Sequence, residues 1–139
     1  IAQRDVQFET GGRKFEPGAY THTVLAGLRA AVELLLEVGA NEVSNQSRSL
    51  THSIREQIDA AGFEFLSPTE EKNLSGILTF RHPQIAGERF LDALTKNDIV
   101  VSLRYDRTNR GWLRISPHFY NTAAEMVQLA EILNREAGA

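Results

Sequence analysis

Cysteine is absent from these 139 residues, methionine and tryptophan occur once each, and proline occurs four times. Without a thiol there is no disulfide framework, no thiolate metal site and no cysteine nucleophile. Long apolar runs are missing too. The longest, Ala30 to Leu36, is broken by Glu33 and falls far short of the ~20 residues a membrane-spanning helix needs. The opening Ile1-Ala2-Gln3-Arg4-Asp5 has no basic start followed by an apolar stretch, so no signal peptide is expected. Neither charge sign dominates: 15 Lys plus Arg against 18 Asp plus Glu leave −3, which weighs against a phosphate-backbone binder. What is there, 42% hydrophobic and 24% charged residues, suits one compact soluble domain, expected in the cytoplasm.

Residues 1–18 hold Gly11, Gly12, Pro17 and Gly18 among polar side chains and read as an extended arm; residues 19–139 read as a single domain. Val24, Leu28, Ala31, Val32, Leu35 and Leu36 recur at three- and four-residue spacings, the signature of one helix face, which Gly39 ends. Asn41 is expected to cap a second helix carrying Val43, Leu50, Ile54, Ile58 and Ala61, closed by Gly62. Phe63 to Leu66 predicts an edge strand, and Gly76 to Arg81 a buried one. A short helix follows over roughly Ala86 to Lys96, burying Phe90, Leu91 and Leu94. Asp98 to Leu103, rich in β-branched residues, and Trp112 to Ser116 predict a strand pair around the polar turn Tyr105 to Gly111. Thr122-Ala123-Ala124-Glu125 is a capping box opening a last helix that carries Met126, Leu129, Ala130 and Leu133 on one face. The sum is an α+β layer, a mostly antiparallel sheet of about four short strands covered by helices.

Chemistry is concentrated in four places. Phe8-Glu9-Thr10-Gly11-Gly12-Arg13 combines close-approach glycines, a hydroxyl and a cation, which suits phosphate contact but lacks P-loop spacing; a plain turn is the competing reading. In Arg114-Ile115-Ser116-Pro117-His118, strand alternation puts Arg114 opposite Leu113 and Ile115, where a guanidinium can clamp a carboxylate or pair with a surface acid. His118 stands beside it as a pocket-lining candidate. His22, His52, His82 and His118 offer no metal-ligand spacing. Arg104, Arg107 and Arg110 around Tyr105 read better as a solvated hairpin tip than as a nucleic-acid patch.

The order of these pieces resembles the C-terminal small domain of class V aminotransferases, the pyridoxal-phosphate enzymes that include cysteine desulfurases and selenocysteine lyases. The likeness runs from Phe8-Glu9-Thr10-Gly11 through Leu25-Ala26-Gly27-Leu28 and Ser75-Gly76-Ile77 to the tail motif Arg114-x-Ser116 with Tyr120-Asn121-Thr122. It implies that Arg114, with His118 nearby, grips the α-carboxylate of an amino-acid substrate. It further implies that the arm (Thr10, Gly11, Gly12, Arg13) reaches the cofactor phosphate of the partner in a homodimer. Gly12 stands where the family carries a hydroxyl; Thr10, two residues earlier on the same side of an extended segment, is the substitute. The family's desulfurases carry a cysteine between the last two strands, and Tyr105 to Gly111 has none. The family's Schiff-base lysine belongs to a large domain, and Lys14, Lys72 and Lys96 lack its setting. The resemblance therefore implies a fragment of a larger enzyme, consistent with a first residue of Ile, that binds no cofactor by itself and is inactive alone. A stand-alone α+β ligand-binding or dimerisation module is the alternative.

Overall fold

The computed structural model describes residues 7–16, 18, 19 and 21–138; residues 1–6 and Pro17 of the expected arm lie outside them. The chain divides into two units, with the boundary between Glu37 and Val38. In the first unit the arm segment is not wholly extended, because Gly11 to Phe15 wind into a 3₁₀ turn that Gly11 enters at φ +64°, a conformation glycine adopts at little cost. Helix α1, His22–Val38, forms as its periodicity predicts, and none of its residues is buried. No helix among the described residues is long and apolar enough to cross a membrane.

The second unit carries α2 (Ala40–Ile58), β1 (Glu64–Phe65), β2 (Leu78–Arg81), α3 (Gly87–Thr95), β3 (Ser102–Tyr105), β4 (Gly111–Ile115) and α4 (Ala123–Ala137). Its four strands form one antiparallel sheet in the order β1-β2-β4-β3, the α+β architecture expected from the sequence. One sheet face is apolar: Leu78, Phe80, Leu113 and Ile115 join Ile54 and Ile58 of α2, Phe90 and Leu94 of α3, and Leu129 and Leu133 of α4 in one core. The opposite face carries Arg81, Thr79, Trp112 and Arg114, as the two-residue alternation of a strand requires.

Two local expectations are corrected. Asn41 does not cap α2; that helix starts at Ala40 directly after Gly39, which has φ +92° and accepts the Val43 N–H. A single residue separates α1 from α2, leaving no room for a cap further along. The β-branched run Ile99-Val100-Val101 is not a strand either, and β3 begins only at Ser102. The end of α3 holds this run: the Asp98 and Ile99 N–H groups are tied to helix carbonyls, and the ladder starts at Ser102, which pairs with Arg114. Residues 97–101 close α3 in a Schellman-type end, with Ile99 N–H donating to Leu94 O at 3.0 Å and Asp98 N–H to Thr95 O at 3.1 Å. Asp98 occupies the left-handed position of that end at φ +59°. Glycine is the usual occupant, and an L side chain costs roughly 1–2 kcal/mol there.

Phe90 is fully buried and its ring lies 5.2 Å from that of Phe63. Phe90→Ala should cost about 3–5 kcal/mol in urea denaturation, whereas Val127→Ala on the exposed side of α4 should stay within about 0.5 kcal/mol. Equal effects of the two would place the core elsewhere.

Candidate functional site

Arg114 is the penultimate residue of β4, with Thr79 of β2 and Ser102 of β3 as its cross-strand neighbours. Leu113 and Ile115 on either side are buried, so the backbone under Arg114 is fixed by the core. The side chain itself is half-buried. Its Nε is buried without a hydrogen-bond partner, and among the described residues the guanidinium makes no ion pair. A buried donor left unpaired is costly, on the order of 1–3 kcal/mol, so this nitrogen is suited to a ligand acceptor.

Arg114 lines a cavity of about 660 Å³ at the end of the sheet where β4 passes into α4. Residues 97–102 form one wall, and the first turns of α4, including Met126, Gln128 and Leu129, form another. Two acidic residues, Asp98 and Glu125, also border it. Glu125 is already engaged. It accepts the Thr122 N–H at 2.6 Å, the Thr122 hydroxyl at 3.1 Å and Asn121 Nδ2 at 3.4 Å, which completes the capping box expected at this position. Those donors, the Thr122 amide first, hold its pKa below the ordinary carboxylate value. The Asp98 carboxylate has no hydrogen bond or ion pair among the described residues.

His118 is not among the residues that line this cavity. Its ring stacks on Tyr120 at 5.1 Å and meets Phe119 edge-on at 4.9 Å, and the His118 backbone N–H donates to Asn121 Oδ1 at 2.9 Å. Its Nδ1 is buried without a partner. Thr10, Gly11, Gly12 and Arg13 lie in the other unit, all exposed, and Thr10 makes no side-chain capping bond.

The loop with the three arginines is a hairpin tip organised by one acid. Asp106 accepts the Thr108 hydroxyl at 2.7 Å, the Thr108 and Arg110 N–H groups at 2.8 and 3.1 Å, Arg110 Nε at 2.8 Å and Trp112 Nε1 at 3.2 Å. These donors, with the Thr108 hydroxyl the largest influence, hold its carboxyl far below the usual range. Arg110 is thereby committed to the turn.

A family model described as aminotransferase class-V matches residues 2–129 of this chain. The chain belongs to the class-V aminotransferase family. Among solved structures, the apo cysteine desulfurase of Thermococcus onnurineus NA1 is similar at a TM-score of 0.83 and 18% identity, over 99% of this chain and 36% of that one. The cysteine desulfurase CsdA of Escherichia coli is similar at 0.79 and 22% identity, over 96% of this chain and 36% of that one. The 8-amino-7-oxononanoate synthase of Francisella tularensis is similar at 0.65 and 27% identity, over 86% of this chain and 34% of that one. The chain thus spans about a third of the length of these proteins. No curated protein matches it.

The class-V family depends on pyridoxal phosphate, so the residues present can be tested for fit. Its aldehyde needs a lysine amine, and none of the three lysines lines the Arg114 cavity. Lys14 Nζ lies over the Phe15 ring at 5.1 Å, Lys72 pairs with Glu70 at 3.2 Å, and Lys96 borders a separate charged surface with Arg89 and Glu136. The cavity of this chain does not fit the cofactor.

What the sequence missed here is the wall formed by residues 97–101, hidden by its strand-like composition. The Asn97-Asp98 pair directly after α3 was the available signal, since these residues tolerate left-handed backbone. For the hairpin, Asp106→Ala should lower the melting temperature by a few degrees and speed amide exchange at Thr108 and Arg110. The depressed pKa sets the sign of the pH effect. The contribution is complete above the ordinary carboxylate pKa and is lost as pH falls through the lowered one, so in the variant acid should cause less additional loosening of the tip. Unchanged exchange would remove Asp106 as the organiser.

Proposed function

We propose that this chain is the C-terminal small domain of a larger, homodimeric, cytoplasmic pyridoxal-phosphate enzyme that acts on an amino acid, and that Arg114 receives the substrate's α-carboxylate. The observation that carries this reading is the Arg114 guanidinium, unpaired among the described residues and anchored between two core residues at a cavity that no other described cation lines. A carboxylate can satisfy Nε and a terminal nitrogen together, a two-point geometry that lysine cannot reproduce. Fixing the carboxylate in this way restricts rotation of the substrate about its Cα, and orientation of that kind is the domain's share of the work.

Three observations support the rest of the reading. The chain covers about a third of the solved relatives, and its lysines stand away from the cavity, so the cofactor and its lysine belong to the remainder of the parent. The exposed Thr10, Gly11, Gly12 and Arg13 are free to contribute hydroxyl, backbone and charge to a cofactor phosphate in the homodimer. His118 lies in the loop that follows the arginine strand, and its Nδ1 is buried without a partner. The hairpin between β3 and β4 carries no thiol, so persulfide formation there is excluded from the proposed chemistry.

In the holoenzyme, Arg114→Ala should lower kcat/KM for the amino acid by about 10- to 150-fold, as expected for loss of a charged hydrogen-bonding partner, and Arg114→Lys should recover only part of it. Unchanged steady-state kinetics would remove Arg114 from the site. The 139-residue chain alone should leave the absorbance spectrum of added pyridoxal phosphate unaltered. A tightly bound, shifted band would contradict the assignment of the lysine to the rest of the parent.

A further inference from the structure

The Arg114 cavity holds a second charged group that neither its fold nor its caps employ. Asp98 sits where glycine is the favoured residue, at φ +59° in the left-handed position that ends α3. Its charge is also of the wrong sign for that place, since a helix C-terminus favours cations and repels a carboxylate. The Asp98 side chain is exposed and has no hydrogen bond or ion pair among the described residues, so the fold supplies it no partner. Asn97, next to it, shows what a structurally useful polar side chain does here, donating from Nδ2 to the Ala93 carbonyl at 2.8 Å. Asp98 does nothing comparable for the domain, yet it borders the same cavity as Arg114.

Of the two acidic residues at that cavity, Glu125 is consumed by the capping box, so Asp98 is the one available to a ligand. A ligand whose carboxylate is held by Arg114 therefore extends into a space lined by Asp98, an acid with no partner among the described residues.

We propose that Asp98 is a specificity-determining residue of the Arg114 cavity, favouring ligands that carry a positive group beyond the anchored carboxylate and rejecting those with a second carboxylate. The inference rests on the reading of Arg114 as the carboxylate anchor. Discrimination arises from attraction and repulsion together, and it is bought with fold stability, as specificity devices commonly are.

The test uses two probes of equal chain length, 6-aminohexanoate and adipate, titrated into the 139-residue chain at low ionic strength and followed by the Arg114 Nε–H and Ser102 amide NMR signals. The native chain should bind 6-aminohexanoate about fivefold more tightly than adipate, with the ratio shrinking as salt is added. In Asp98→Asn the ratio should fall close to one, while both probes still shift Arg114. Asp98→Asn and Asp98→Gly should also melt a few degrees higher than the native chain. An unchanged probe ratio in Asp98→Asn overturns the inference and leaves Arg114 standing. A lower melting temperature in both variants overturns it as well, by showing that the carboxylate serves the fold. Arg114→Ala should abolish the binding of both probes. Binding that survives this change, or no shift of either signal by either probe in the native chain, defeats the anchor reading and the inference with it.

Discussion

Strand alternation on β4 is the constraint from which the rest follows. Leu113 and Ile115 are driven into the core by their apolar surface, and a strand then has no choice but to turn Arg114 to the opposite face. Pairing with β2 on one side and β3 on the other locks that register, because a slip of one residue would expose both apolar side chains and bury the guanidinium. The same burial that stabilises the domain thus positions its single unpaired cavity cation. Aromatic packing of Phe63, Phe80 and Phe90 between the sheet and α3 holds the platform beneath it.

The end of the sheet is shaped by a competition between local propensity and the end of α3. Ile99, Val100 and Val101 have the composition of a strand, yet the Asp98 and Ile99 N–H groups are tied to the last carbonyls of α3. The segment is released from the sheet, and Val100 is left almost fully exposed. That release opens the space beside Arg114. A cavity here is therefore a consequence of where pairing stops.

Much of this was legible in the sequence because it depends on local signals. The alternation of Leu113, Arg114 and Ile115, the capping box at Thr122 and Glu125, and the apolar stripe of α4 all survive in the fold. The Arg104 to Arg110 loop was rightly read as a hairpin tip, although the central role of Asp106 was not visible, since its five donors converge only in three dimensions. The starts of α2 and β3 differ from those the sequence predicts. In each case the deciding fact was a neighbour: the tight junction at Gly39, and an α3 end that holds the Asp98 and Ile99 amides. The tail motif pointed to the class-V family, and the family match over residues 2–129 agrees with it.

The most direct test of the account is a crystal structure of the chain with a bound amino acid. Both carboxylate oxygens should lie within hydrogen-bonding distance of the Arg114 guanidinium, one of them on Nε. A guanidinium folded onto Asp98 or Glu125, with the amino acid bound elsewhere or not at all, would contradict it.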